Sequence, residues 1–156
     1  MDTITIPLDP TPPQLKLDNQ LCFALYSASL SMTKQYRPLL QKIGLTYPQY
    51  LVMLVLWEGD DLRVSTLGDR LYLDSGTLTP LLKRLESAGL VERRRSTEDE
   101  REVRVRLTPA GRALRTQAEG IPQVLLCATG CELPEVVTLT QTLQRLRRSI
   151  NDFPEA

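Results

Sequence analysis

Three cysteine thiols are the side chains of this chain with the clearest capacity for covalent chemistry. Cys22 lies near the start of a long predicted helix, and Cys127 and Cys131 lie in a second helical stretch about a hundred residues later. The positive end of a helix macrodipole stabilises a thiolate, which is the nucleophilic form of cysteine. Cys22 is therefore a candidate reactive thiol, but an isolated cysteine on a helix is more often a small core residue, and its position alone favours that interpretation.

Tyrosine side chains are the candidate hydrogen-bond donors to Cys22, because the chain has no histidine and the nearest basic residue is Lys16. Tyr26 is one helical turn away from Cys22. Tyr36 is roughly 21 Å away along a straight helix, at about 1.5 Å per residue, and cannot reach Cys22 within one chain. In a dimer whose first helices cross antiparallel, Tyr36 and Tyr47 of one chain can approach Cys22 of the other.

The composition limits the classes of protein to which this chain can belong. With 156 residues and 42% hydrophobic content, it is long enough for one globular domain with a sizeable core. The absence of histidine excludes Ser–His and Cys–His catalysis and every histidine-ligated metal site. Three cysteines could still bind a soft metal, but Cys22 has no CxxC neighbour, so a redox role is favoured and no metal or other cofactor is expected. No apolar run has the length of a membrane span and the N-terminus resembles no signal peptide, so we expect a cytoplasmic protein without membrane contact.

Positive charge is concentrated in the middle of the chain, although the net charge of the whole chain is zero. Residues 63–112 carry eleven Lys or Arg against eight Asp or Glu, a balance of +3. Residues 1–62 have a balance of −2 and residues 113–156 a balance of −1. Because local positive charge attracts phosphates, the middle segment is the candidate nucleic-acid-binding region.

Hydrophobic periodicity and turn signals predict a mainly α-helical chain with one small β-hairpin. Residues 1–16 contain four prolines and are expected to form a flexible, extended arm. Helices are expected at about 17–43, 46–57, 64–71, 75–88, from Thr108 to near Gly130, and 133–151, with Gly44 and Gly89 at C-caps and Ser65 or Thr66 as an N-cap. Val103, Val105 and Leu107 alternate with arginines, which is typical of a half-exposed hairpin.

A helix, a short turn, a second helix and a basic hairpin follow one another in the order of a winged helix-turn-helix. The leucines of helix 75–88 share one face, so the opposite face is directed outward. Small hydroxyl residues at a helix start can approach base edges, and basic side chains can reach phosphates, guanine or a minor groove. The residues expected to contact DNA are Ser75, Thr77, Thr79, Pro80, Lys83, Arg84, Arg93, Arg94, Arg95, Asp99, Arg101 and Arg104.

The run LGDRL at 67–71, followed by DSGTLTPLLKRLESAGLVERRR, resembles the core of the MarR family of repressors. The hairpin is similar as well, since Asp99, Arg101, Leu107-Thr108 and Gly111 follow the spacing D-x-R-x5-L-T-x-x-G. This resemblance implies a homodimer that binds palindromic double-stranded operator DNA. It divides the chain into the arm 1–16, dimerisation and sensor helices at 17–62, a winged helix-turn-helix at 63–112 and C-terminal dimerisation helices at 113–156.

Cys22, Tyr36 and Tyr47 resemble the sensor of the organic-hydroperoxide-sensing branch of this family, the OhrR type, and Tyr26 is a weaker match. The resemblance implies that an organic hydroperoxide oxidises Cys22 to a sulfenic acid, that a second thiol converts this to a disulfide, and that operator DNA is released. Cys127 is the expected resolving thiol and Cys131 the alternative, because Gly130 is predicted to end the helix before Cys131. Apolar residues around Cys22 favour alkyl or fatty-acid hydroperoxides over hydrogen peroxide.

Two other functions are compatible with parts of the sequence. The first is a MarR-type repressor that is released by a small aromatic ligand, in which Cys22 is inert. The second is a thiol peroxidase, which shares the sulfenic acid chemistry but does not account for the arginine-rich hairpin or the helix before it. A non-enzymatic regulator is therefore the favoured prediction, and loss of the response in Cys22→Ser separates it from the ligand-released repressor.

Overall fold

The computed structural model describes residues 10–156, and the chain divides into two compact units, Met1–Lys34 and Gln35–Ala156. The predicted fold class, mainly α with a small β wing, is confirmed. The elements in chain order are α1 (Leu21–Gln41), α2 (Tyr47–Glu58), β1 (Leu62–Arg63), α3 (Val64–Leu71), α4 (Ser75–Ser87), β2 (Val91–Arg95), β3 (Val103–Leu107), α5 (Pro109–Ala118), α6 (Ile121–Thr129) and α7 (Leu133–Asn151).

The first long helix begins at Leu21 rather than at about Leu17, and the segment before it is not extended throughout. Single 3-10 turns form at Pro13–Leu15 and Leu17–Asn19. The Asn19 side chain donates to the Pro13 carbonyl at 2.8 Å, and the Gln20 side chain donates to the carbonyls of Gln14 and Lys16. The backbone amides of Asn19 and Gln20 donate to carbonyls three residues earlier and Gln20 itself is extended, so α-helical hydrogen bonding begins only at Leu21. Residues 1–9 of the predicted arm lie outside the described residues.

Helices α2, α3 and α4 and the sheet enclose one leucine-rich core within the unit Gln35–Ala156. The predicted inward face of α4 is confirmed, because Leu78, Leu82 and Leu85 are fully buried there. They pack in one cluster with Tyr50 and Met53 of α2 and with buried residues of α3 and the strands. Burial of each such side chain is worth about 2 kcal/mol, so this cluster fixes the position of α4.

The helix caps predicted at Gly44 and Gly89 are present, and the N-cap predicted at Ser65 or Thr66 is not. Gly44 and Gly89 both have positive φ, and the amides of Leu45 and Leu90 donate to carbonyls five residues earlier, as in a Schellman motif. Thr46, Asp74 and Thr108 cap α2, α4 and α5 through their side-chain oxygens. Neither Ser65 nor Thr66 caps α3, because α3 follows Arg63 of β1 directly and no side chain closes its N-terminus.

The sheet contains a third strand that the sequence did not predict. Its order is β1-β3-β2, all antiparallel, with Leu62 opposite Val105 and Arg93 opposite Val105 from the other side. Asp60 holds the base of the sheet, because its carboxylate accepts the Leu107 amide at 2.8 Å and contacts Arg112 at 3.3 Å. The hairpin is therefore joined to the chain between α2 and α3.

The predicted fifth helix is two helices. α5 ends at Ala118 and α6 begins at Ile121, since Pro122 in the first turn of α6 lacks the amide that a continuous helix requires. The last helix, α7, is placed as predicted but has no buried residue. Apolar side chains stay exposed on α1 and α7, namely Leu21, Phe23, Tyr26, Leu30, Met32, Leu133, Val137, Leu139, Leu143 and Ile150. No helix among residues 10–156 is both long and apolar enough to span a membrane.

Candidate thiol sensor and nucleic-acid interface

Cys22 is an exposed thiol at the second residue of α1. It therefore lies within the first turn of the helix, closer to the helix start than the sequence indicated, where backbone amides lack intrahelical partners. Tyr26 follows one turn later and is exposed, as are the neighbouring Leu21 and Phe23. The thiol is thus accessible and lies next to apolar side chains, which suits an encounter with a small apolar oxidant.

Three tyrosines form an aromatic cluster where α1 ends and α2 begins. The ring centroids of Tyr36 and Tyr47 are 4.8 Å apart, and those of Tyr36 and Tyr50 are 5.7 Å apart. Tyr50 also lies 6.5 Å from the ring of Trp57 in an edge-on arrangement. The structure thus brings together the two predicted sensor tyrosines and adds Tyr50, whose position one turn after Tyr47 on α2 is the sequence signal that could have identified it.

The environment of the cluster keeps its phenols protonated. Burial, together with the neighbouring Tyr47 and Tyr50, raises the pKa of Tyr36 from 10.0 to about 12. Burial likewise raises the pKa of Tyr47 and of Tyr50. Phenols that resist ionisation remain hydrogen-bond donors, which is the form that can stabilise a thiolate.

A difference titration should detect the raised pKa of Tyr36. The phenolate absorbance lost in Tyr36→Phe is expected to appear near pH 12 in the wild type. The pKa of Tyr36 is higher in the folded protein than in the unfolded chain. The free energy of unfolding is therefore highest, as far as Tyr36 affects it, below about pH 10, and it falls as the pH rises toward 12. Tyr26→Phe, which removes a phenol outside the cluster, should leave the late ionisation in place. Ionisation of Tyr36 near pH 10 would contradict the burial.

The two later thiols differ in exposure. Cys127 is exposed in the last turn of α6, and the Gln123 side chain lies 3.9 Å from its sulfur. Gly130, with φ of 66°, ends α6 as predicted. Cys131 follows it and is half-buried, with its thiol 3.5 Å from the Thr129 carbonyl, to which it can donate. Cys127 is therefore the more accessible of the two sulfurs.

Helix α4 exposes one polar face in the way the sequence predicts. Asp74 accepts the Thr77 amide at 2.7 Å and so fixes the start of the helix. This bond and a weaker one to Gly76 hold the pKa of the Asp74 carboxyl below its usual value. The buried leucines direct the other side chains away from the core: Ser75, Gly76, Thr77, Pro80, Lys83 and Arg84 are exposed and Thr79 is half-buried. The predicted contact residues of α4 thus share one accessible surface.

Several of the predicted DNA-contacting arginines are engaged in ion pairs within the protein. Arg93 pairs with Glu86 at 3.0 Å, and Arg94 pairs with Glu92 at 3.1 Å. Arg104 pairs with Asp61 at 3.1 Å, and Asp61 holds a left-handed backbone conformation with φ of 55°. Arg106 pairs with Glu92 and Arg63 with Glu102 in the same way. These pairs join the strands of the hairpin to each other, to α4 and to the segment around β1.

Four basic side chains of the same region have no ion pair to a carboxylate within residues 10–156: Lys83, Arg84, Arg95 and Arg101. Arg101 lies in the turn of the hairpin, and its amide donates to the Asp99 carboxylate at 3.0 Å. Asp99 therefore shapes the turn that carries Arg101, which gives the D-x-R spacing a structural reason. The unpaired charges occupy α4 and the end of the hairpin.

A cavity lies beside the aromatic cluster and shares Tyr50 with it. It has a volume of about 260 Å³ and is lined mainly by apolar parts of α2, α5 and α6, including Tyr50, Leu54, Trp57 and Pro122. Arg115 is the basic residue of its wall, and Glu58 and Glu119 are its acidic residues. The apolar part of this lining suits a small aromatic molecule, and Arg115 is the cation of the wall available to an anionic substituent.

Comparisons with known proteins agree with this architecture. The family model "Transcriptional regulator SarA/Rot" matches residues 34–117. The organic hydroperoxide resistance transcriptional regulator of Bacillus subtilis is 57% identical over 112 residues, which cover 72% of this chain and 76% of that protein. The disulfide-formed structure of AbfR from Staphylococcus epidermidis is 39% identical with a TM-score of 0.61, covering 85% of this chain and 93% of that one.

A MarR variant from E. coli, solved in complex with operator DNA, is 26% identical with a TM-score of 0.73, and the match covers 81% of this chain and 92% of that one. The winged helix-turn-helix elements and these relatives lead to the same assignment. The chain belongs to the MarR family of winged helix-turn-helix transcriptional regulators, together with the organic hydroperoxide resistance regulator.

Proposed function

We propose that this protein is a dimeric, DNA-binding repressor that organic hydroperoxides switch off through Cys22. The observation that carries the proposal is the exposed Cys22 thiol in the first turn of α1, in a chain 57% identical to an organic hydroperoxide resistance regulator. The cluster of Tyr36, Tyr47 and Tyr50 supports it, because it supplies protonated phenols of the kind that stabilise a thiolate.

The exposed face of α4 reads the major groove, and the end of the hairpin binds the adjacent backbone or minor groove. Thr77, Thr79 and Lys83 have the size and chemistry to reach base edges and phosphates from this face. Arg95 and Arg101 carry the charge of the hairpin that is free for phosphates. Operator-bound MarR supports this use of the same fold.

A second copy of the chain covers the exposed apolar faces of α1 and α7. Leu21, Leu30, Val137, Leu143 and Ile150 are too many large apolar side chains to leave in water on two helices. One copy of α4 reads only a few base pairs, so a palindromic operator with two half-sites requires such a dimer. The dimer also provides the cross-subunit approach of Tyr36 and Tyr47 to Cys22.

The redox step is a two-electron oxidation of the thiol. The Cys22 thiolate attacks one oxygen of the O–O bond, which breaks, and the departing alkoxide takes up a proton to become an alcohol. Cys22 is left as a sulfenic acid. The Cys127 thiol then attacks this sulfur, forming a disulfide and releasing water. Cys127 is preferred over Cys131 because it is the more exposed sulfur. Closing the bridge moves the helices that carry the two thiols and displaces α4 from the operator.

The DNA-binding part of the proposal can be tested with the unpaired cations. Arg95→Ala/Arg101→Ala is expected to bind labelled palindromic upstream DNA about tenfold or more weakly, with a salt slope reduced by about one per lost phosphate contact. Lys42→Ala removes an exposed charge outside the helix-turn-helix and should retain wild-type affinity. Fluorescence anisotropy at several salt concentrations measures both quantities. Unchanged DNA affinity in the double variant would show that the end of the hairpin does not contact the DNA.

The apolar cavity favours a second candidate, a repressor released by a small aromatic anion. Trp57 and Tyr50 would contact the ring, and Arg115 would bind the anionic group. Salicylate serves as the probe for this candidate. DNA release by salicylate that persists in Cys22→Ser and is lost in Arg115→Ala would favour the ligand-released repressor over the redox sensor.

A further inference from the structure

We infer that Glu86 is a positioning residue for DNA reading, because its carboxylate fixes the hairpin against helix α4. The inference rests on the proposed DNA-binding function and concerns a residue that contacts no DNA in it. Glu86 lies in the last turn of α4, and its partner Arg93 is the third residue of β2.

The contact between Glu86 and Arg93 uses both carboxylate oxygens. Oε2 accepts the backbone amide of Arg93 at 3.1 Å. Oε1 accepts from Nη2 of Arg93 at 3.0 Å and from Nε at 3.4 Å. This arrangement constrains the backbone of β2 and its side chain at the same time, so the orientation of the strand relative to α4 is fixed. The Arg93 hydrogen bonds hold the pKa of the Glu86 carboxyl below its usual value.

The pair is also the side-chain hydrogen-bond link between α4 and the hairpin among residues 10–156. The other carboxylates of the region act elsewhere: Glu92 joins Arg94 and Arg106 within the hairpin, and Asp60 and Asp61 hold β3. A cleft of about 320 Å³ separates α4 from the hairpin and is lined by Thr79, Arg93 and Arg101 among others. Glu86 thus adds a directional polar contact to the apolar packing between α4 and the strands.

Electrostatics alone gives the opposite expectation for a change at this position. A carboxylate near a DNA-binding surface repels phosphates, so its removal should tighten binding if charge were its whole effect. If Glu86 positions the hairpin, its removal weakens binding even though the protein becomes more positive. The sign of the change therefore separates the two roles.

The experiment compares Glu86→Gln and Glu86→Ala with Glu98→Gln in anisotropy titrations of labelled palindromic upstream DNA. Glu98 is exposed, lies in the same hairpin and has no ion pair within residues 10–156, so Glu98→Gln removes the same charge without the contact. We expect affinity about threefold weaker for Glu86→Gln and about tenfold weaker for Glu86→Ala, against unchanged or tighter binding for Glu98→Gln. Circular dichroism at the assay temperature establishes that each variant is folded.

A background variant separates positioning from general destabilisation. In Arg95→Ala/Arg101→Ala the hairpin has lost its free charges, so Glu86→Gln should cost no further affinity there. In the otherwise wild-type protein, Glu86→Gln should also make DNA affinity less dependent on salt concentration, because a displaced hairpin makes fewer phosphate contacts. Equal or tighter DNA binding by Glu86→Gln, with wild-type binding intact, overturns the inference and leaves the proposed function standing. Absence of binding by the wild type itself refutes the proposed function instead.

Discussion

Cys22→Ser protein is expected to stay bound to operator DNA at a concentration of organic hydroperoxide that releases the reduced wild type completely. Serine preserves the size of the side chain but replaces the sulfur, whose thiolate is the nucleophile, by a hydroxyl that stays protonated. The first step of the switch is then absent, so the response should be lost rather than reduced. The same anisotropy titration, with tert-butyl hydroperoxide added, measures this.

Two further serine variants identify the resolving thiol. Cys127→Ser should still be oxidised at Cys22 but should form no disulfide, so the sulfenic acid persists and can be trapped with dimedone. Cys131→Ser should behave like the wild type. Non-reducing electrophoresis of the oxidised wild type should show a band of two linked chains that is absent from Cys22→Ser and Cys127→Ser. If the disulfide between the chains is lost in Cys131→Ser and kept in Cys127→Ser, Cys131 is the resolving thiol instead of Cys127.

The alternatives give different results in the same assay. If Cys22→Ser protein still releases DNA, Cys22 is not the redox sensor, and a repressor released by a ligand is favoured. Sustained consumption of hydroperoxide with a thiol reductant, in a protein that binds no DNA, would establish a thiol peroxidase. Hydrogen peroxide at equal concentration should act more weakly than tert-butyl hydroperoxide, because it gains nothing from the apolar side chains beside Cys22.

The parts of the fold that follow from periodicity could be predicted from the sequence. The leucines of α4 repeat at helical spacing, and all four that define its inward face are buried. Gly44 and Gly89 end helices because the left-handed conformation required there suits glycine. Strand β1 could not be predicted, because two residues show no alternation and pair only when β3 is already in place.

Two features of the structure could not be predicted from the sequence: the residue at which α1 begins, and which arginines of the hairpin form ion pairs. The start of α1 depends on Gln20, whose extended backbone separates the 3-10 turn at Leu17–Asn19 from the α-helix, and no propensity scale contains this. The sequence does not distinguish among the arginines of the hairpin. In the structure Arg93 and Arg104 form ion pairs with carboxylates, whereas Arg95 and Arg101 do not. Which arginine is free depends on distances across strands. The pairing of Cys22 with a resolving thiol remains a prediction.

Gly111→Ala is expected to be among the most destabilising single-methyl additions to this chain. A Cβ at Gly111 would lie 2.1 Å from the carbonyl oxygen of Leu90 and 3.2 Å from Cδ2 of Leu107. The obstacle is backbone, so it cannot rotate away, and the Gly111 carbonyl also accepts the Trp57 indole N–H at 3.0 Å. We expect a loss of about 3 kcal/mol in the free energy of unfolding, from overpacking of a close contact.

The same clash should affect DNA binding, because Leu90 and Leu107 flank the hairpin. α5 can relieve it only by moving away from the base of the sheet, which would break the Trp57–Gly111 bond and displace the wing. Gly120→Ala is the matched control, since a Cβ there meets nothing within 4 Å, and its effect should stay within about 1 kcal/mol. Thermal and urea unfolding measure the difference. A Gly111→Ala protein as stable as Gly120→Ala would mean that α5 and the sheet do not pack as closely as described, and the glycine of the D-x-R-x5-L-T-x-x-G spacing would lose its structural reason.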